Sequence, residues 1–186
     1  MRPHAASGAT LVELSMTMLV LAVLGALAAP AFANLLERGR VQAADQGFVT
    51  ALHLARETAA RRAARTLVCP SGDGMHCADD GRWEAGWIVA IDRDRDGQPD
   101  TAPLLRSDRD AIHGSAVRAL RLRMQSTSGR PRVIFQPDGS SGGSNVTFLI
   151  CRTGGHNGRG IVVSNSGRIR QTGLDATQLQ LCLAGA

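Results

Sequence analysis

The chain changes its hydrophobic rhythm twice. After a short polar start, Leu14 to Ala33 is a run of 20 residues without a charge, long enough to cross a hydrocarbon core of ~30 Å. From Val41 the apolar positions recur as Val41, Ala44, Phe48, Leu52, Ala55, Ala59 and Ala63, the three-and-four spacing of one helix face. Together they predict a helix from Ala9 to about Thr66, bent near Pro30 and loosened by Gly39 and Gly47. Arg61, Arg62 and Arg65 then fall in its last turns, where cations offset the negative end of the dipole. After Cys69 the pattern becomes short extended runs, GWIVAID, VRALRLRM, RVIFQP, VTFLIC, GIVVS and LQLCL, separated by DGQPD, SGRP, PDGSSGGS and GGHNG. In VRALRLRM, Leu120, Leu122 and Met124 alternate with Arg121 and Arg123, giving one buried and one wet face. One long helix followed by antiparallel strands predicts an α+β domain.

Glu13 stands at the entrance of the apolar run. A carboxylate at mid-membrane costs roughly 2.5–3.5 kcal/mol on insertion scales, and less near the interface, so a sequence keeps one there for a partner or a use. A secretory signal would explain Arg2 and the small-x-small site Ala31-Phe32-Ala33, yet the run exceeds the usual apolar region of about 7–15 residues. A plain single-pass anchor explains the length and leaves Glu13 as a cost.

The stretch from Gly8 through Ala9-Thr10-Leu11-Val12-Glu13 to an apolar helix interrupted at Pro30 resembles the type IV pilin and pseudopilin family. The resemblance implies a leader, residues 1–8, cut after Gly8 by a prepilin peptidase that also methylates Ala9. It makes Glu13 the fifth mature residue and Pro30 the proline of the membrane helix. It further implies a membrane and polymerisation helix over 9–36 and a pilin-like globular domain over 37–186, in which the helix packs on an antiparallel sheet. The location implied is the bacterial inner membrane, single-pass, with the C-terminal domain in the periplasm. The partners implied are other pilin subunits, the peptidase and membrane lipid. Physically, a new amine on Ala9 can meet the Glu13 carboxylate of a neighbouring helix inside lipid, which removes the cost of isolating either charge.

RWEAGWIVAIDRDRDGQPD, VIFQPDGSS and RGIVVSNSGRIRQ narrow the resemblance to the FimT/GspH group of minor pseudopilins. In FimT-like proteins a GRxR motif is implicated in DNA binding during natural transformation, and Gly167-Arg168-Ile169-Arg170 matches it residue by residue. In an extended segment Arg168 and Arg170 share a face about 6.5–7 Å apart, a spacing that suits successive phosphates. Arg121, Arg123, Arg130, Arg132, Arg152 and Arg159 are candidates to extend the patch. With no aromatic residues interleaved, DNA contact would be backbone-directed and salt-sensitive.

Charge sharpens this picture. All 21 basic residues are Arg. From Glu37 to Asp110 there are 11 Arg against 13 acids, and from Ala111 to Ala186 there are 9 Arg against 2 acids. The C-terminal half suits a polyanion, an acidic partner face, or simply solvent. Cys69, Cys77, Cys151 and Cys182 make an even set for an oxidising compartment. Of three pairings, Cys69–Cys77 closes the loop CPSGDGMHC and leaves Cys151–Cys182 to staple the tail to a strand, and this pairing is the expectation. No C-x-x-C or H-x-x-x-H spacing supports zinc at His76 or His156.

Asp92, Asp94 and Asp96 with Gly97 read DRDRDG, the opening of a calcium loop. The match stops at Pro103, where the twelfth position needs a bidentate Glu, and Arg93 and Arg95 neutralise the loop, so an acidic hairpin turn is the expected reading. His53, His76, His113 and His156 have no nucleophile motif beside them. The sequence predicts neither an enzyme nor a cofactor.

Overall fold

The computed structural model describes residues 10–107, 122–127, 130–143, 145–155 and 157–184. Two compact units divide after Gly39. The first holds the start of helix α1 (Leu11–Arg62), which contains Glu13 in its first turn and runs on through Pro30. Proline has no N–H to give the Ala26 carbonyl four residues back, so the ladder loses one bond there. By length and composition, Leu11–Ala29 can cross a membrane, with a mean hydropathy of 2.2.

In the second unit the rest of α1 packs against two antiparallel sheets. One has the order β3 (Leu105–Arg106), β2 (Trp87–Ile91), β1 (Thr66–Pro70), β5 (Val133–Phe135). The other has the order β4 (Leu122–Ser126), β6 (Val146–Arg152), β7 (Gly158–Val163), β8 (Ile169–Gly173). Helix α2 (Ala176–Ala184) ends the fold. Phe48, Leu52, Ala55 and Ala59 are fully buried on the α1 face that the apolar spacing marks. They meet Val68, Val89, Phe135, Phe148 and Ile161 from both sheets. Small alanines let the strands approach the helix. A ring cluster closes the centre: Phe48 stands edge-on to Trp83, Trp87 and Phe148 at 5.4, 5.7 and 4.8 Å between centroids.

Each sheet carries a satellite cluster with a disulfide on its outer face. Cys69–Cys77 packs with Leu67, Ile88 and Ala90, and its Cα atoms are 5.5 Å apart. Cys151–Cys182, at 6.1 Å, joins β6 to α2 among Leu149, Leu179 and Leu183.

The structure differs from the sequence reading in three places. First, α1 stops at Arg62, and TLVCP, expected partly as helix, forms β1. The stop is a left-handed Ala63 at φ 46, with the Ala64 N–H donating to the Ala59 carbonyl, a helix terminus that glycine usually supplies. Arg65 therefore lies beyond the helix, where its Nε sits 3.2 Å from the buried Asp92 carboxylate rather than serving the dipole. Second, LQLCL is helix rather than strand. Asp175 Oδ1 accepts from the Gln178 N–H at 2.8 Å while Gln178 Oε1 accepts from the Asp175 N–H at 3.2 Å, a reciprocal cap that starts α2. Third, IRQTG of the closing segment and the two-residue β3 pair as strands that the six candidate runs omit. His113, Leu120, Arg121 and His156 lie outside the described residues, whereas Met124 is buried and Arg123 half-buried.

Candidate assembly and anion sites

The first site belongs to the N-terminal unit. Thr10 Oγ1 accepts from the Glu13 N–H at 3.3 Å, so Glu13 is the third residue of the helix, where a carboxylate is favoured by the dipole and by cap geometry. Every large apolar side chain from Leu11 to Leu27 is more than half exposed. The unit thus offers one acid at the head of an uncovered apolar helix. Gly8 and Ala9 lie outside the described residues.

The second site is the β7–β8 hairpin. Val163 pairs with Ile169 and Val162 with Arg170. The four-residue turn Ser164 to Gly167 closes with the Gly167 N–H on the Ser164 carbonyl at 2.8 Å and the Ser164 N–H on the Arg168 carbonyl at 2.9 Å. Gly167 has φ +74, and a Cβ there would strike the Gly139 carbonyl. Glycine is therefore needed twice, for a left-handed turn and for a loop that crosses it. Ile169 packs on the main core, and Gln171 Nε2 donates to Asp45 Oδ2 at 2.7 Å, so both side chains of β8 face α1. Alternation then sends Arg168 and Arg170 to the other face, where both are exposed. Neither guanidinium makes an ion pair among the described residues.

Other arginines are engaged elsewhere. Arg123 donates to the Leu183 carbonyl at 3.2 Å, and Arg132 pairs with Asp79. Arg159 lies on the α1 side of the sheet, near enough to Asp45 to stabilise its charge. Asp45 is itself 1% exposed, and burial raises its pKa against the opposing effects of Arg159 and the Gln171 bond. One residue escaped sequence reasoning. Arg56 of α1 donates from Nε to the Gly139 carbonyl at 3.1 Å, across 83 positions of sequence, and no local spacing announces a contact of that range.

The third cluster is the acidic turn. Carboxylate oxygens of Asp92, Asp94 and Asp100 lie within 4.8 Å of one another. Each has a structural task. Asp92 is ion-paired with Arg65, Asp100 accepts from the Arg93 N–H at 2.6 Å, and Asp94 from the Asp96 N–H at 3.2 Å. Gln98 brackets Cys77, accepting its N–H at 2.9 Å and donating to its carbonyl at 3.2 Å. The turn and the disulfide loop thus hold each other. Within that loop, hydrogen bonds from the His76 ring and from the His76 and Met75 N–H groups hold the Asp73 carboxyl well below the usual carboxylate range.

A profile of the family described as Type II transport protein GspH matches residues 44–167, two thirds of the chain. The chain belongs to the GspH family. The match covers the core part of α1, the first sheet, strands β4, β6 and β7 of the second, and the hairpin turn as far as Gly167, and it stops before β8. Among solved structures, the type IV minor pilin FimU of Pseudomonas aeruginosa is similar in two crystal forms. One is 24% identical with a TM-score of 0.55, covering 73% of this chain and 90% of that one. The other is 22% identical with a TM-score of 0.52, covering 70% and 90%. The minor pseudopilin EpsH of Vibrio cholerae matches at 13% identity and a TM-score of 0.46, over 72% of this chain and 97% of that one. At these identities the FimU likeness establishes the pilin-like fold of this GspH-family chain. No curated protein sequence matches it.

Proposed function

We propose that this GspH-family chain is a minor pilin subunit of a type IV pilus or a type II secretion pseudopilus. In this reading the first half of α1 anchors it in the bacterial inner membrane and residues 37–186 form its periplasmic domain. Prepilin peptidase cuts after Gly8 and methylates Ala9, and the Ala9 amine meets the Glu13 carboxylate of an adjacent subunit. The observation that carries the reading is a single acid at the head of an apolar helix whose large side chains from Leu11 to Leu27 are exposed, on a GspH-family domain. A lone carboxylate in lipid is costly, and a neighbour's amine offsets that cost. The test is incorporation into sheared filaments or crosslinked pseudopili. Glu13→Gln should remove the chain from that fraction while the melting of residues 40–186 stays unchanged, and undiminished incorporation would refute the pairing.

A second reading is favoured by the exposed Arg168 and Arg170, without ion-pair partners among the described residues, at the start of an edge strand. There the chain would bind DNA through backbone phosphates during uptake. Arg168→Ala with Arg170→Ala should abolish gel-shift retention at moderate salt and leave filament incorporation intact. Retention equal to the wild type would end this reading alone.

A further inference from the structure

We propose that Arg56 is a positioning residue for the Arg168 and Arg170 pair, acting through the Gly139 carbonyl; the inference rests on the reading of that pair as a phosphate site. β8 is an edge strand, bonded to β7 on one side only, so the spacing of its two arginines depends on what fixes the hairpin tip. Loop 136–141 does so, with the Ser141 N–H donating to the Asn165 carbonyl at 2.9 Å. Its own turn closes with the Gly139 N–H on the Gln136 carbonyl at 2.8 Å and the Gln136 N–H on the Ser140 carbonyl at 2.8 Å. The left-handed Gly139, φ +77, turns its carbonyl onto Gly167, and Arg56 Nε takes that carbonyl from the helix side at 3.1 Å. Gly167 leads directly into Arg168, whose N–H donates to Ser164 Oγ at 3.1 Å. A continuous path of bonded and touching groups therefore runs from the rigid helix to the first of the two cations. Simultaneous contact with two phosphates benefits from a site held in register before binding.

Glutamine at position 56 makes the test clean, because its side-chain nitrogen hangs from Cδ as Arg Nε does: the donor stays and the charge goes. Full-length chain in detergent micelles is titrated with a short DNA duplex over a range of salt concentrations, and amide exchange of residues 164–168 is followed without DNA. Arg56→Ala should weaken binding about five- to tenfold, as expected for one missing hydrogen bond, with the salt slope unchanged. Its Gly167 and Arg168 amides should exchange faster. Arg56→Gln should stay within about twofold of the wild type on both readouts. Arg168→Ala with Arg170→Ala should instead lower the slope, by roughly 0.9 for each phosphate no longer neutralised. An Arg56→Gln variant as weak as Arg56→Ala, with a reduced slope, would make Arg56 a direct phosphate ligand and overturn positioning. Unaltered binding or exchange in Arg56→Ala overturns it as well, even where the phosphate site stands. Wild-type binding by the double variant would instead bring down the phosphate reading, and the positioning role with it.

Discussion

The two parts of α1 share one backbone ladder and have opposite chemistry. From Leu11 to Leu27 its large apolar side chains are exposed, whereas Phe48, Ala51, Leu52, Ala55 and Ala59 are fully buried. Composition separates the two in part, since Leu14–Ala33 carries no charge whereas Arg40–Arg62 carries four Arg and two acids. Periodicity completes the distinction. The second part is apolar on one face, which suits packing against sheets of its own chain, and the first is apolar all round, which suits lipid and neighbouring helices. Among the described residues, no large apolar side chain from Leu11 to Leu27 belongs to a core cluster, which fits the assembly proposed above.

This contrast can be pressed at graded cost. Phe48→Ala removes the ring that touches both tryptophans and Phe148. It should destabilise residues 40–186 by about 3–5 kcal/mol in denaturant melts, whereas Leu19→Ala, exposed in the first part, should leave that transition in place. Next comes the tail staple. Cys151→Ser with Cys182→Ser opens a 31-residue separation and should cost about 3 kcal/mol, read as the same transition moving to lower denaturant. A smaller change has the opposite sign. Ala63→Gly relieves a left-handed alanine and should raise stability by about 1 kcal/mol.

The smallest effect tests Asp45 within the buried part. Its folded pKa lies above the ordinary value of 3.8 because burial disfavours the charge, so the penalty is present at neutral pH and fades as pH falls through the raised value toward 3.8. Asp45→Asn keeps an oxygen for Gln171. It should be more stable than the wild type by roughly 1 kcal/mol at about pH 7 and converge with it near about pH 4, measured as melting curves across that range. A constant difference would show that the carboxylate charge is not what burial opposes.

The helix, most central strands and the paired cysteines were legible because their signals are local: spacing of three and four, alternation, and an even cysteine count. Misreadings arose where two local signals competed. Leu179, Leu181 and Leu183 alternate like a strand, yet Asp175 and Gln178 cap a helix that buries Cys182, half-buries Leu179 and Leu183 and leaves Leu181 47% exposed. The periodic alanines run on to Ala63, yet its left-handed backbone ends α1 and frees Thr66 to pair with Ile91. Arg168 and Arg170 could be singled out by spacing. Arg56 could not, because its role depends on a loop 83 residues away.

The N-terminal mass of the chain recovered from membranes bears most directly on the role of the exposed part of α1. A first residue of N-methylated Ala9, with Glu13 fifth, is the predicted result. A chain that begins at Asn34, or that keeps Met1 in assembled material, would contradict the claim that this part of the helix is made for polymerisation.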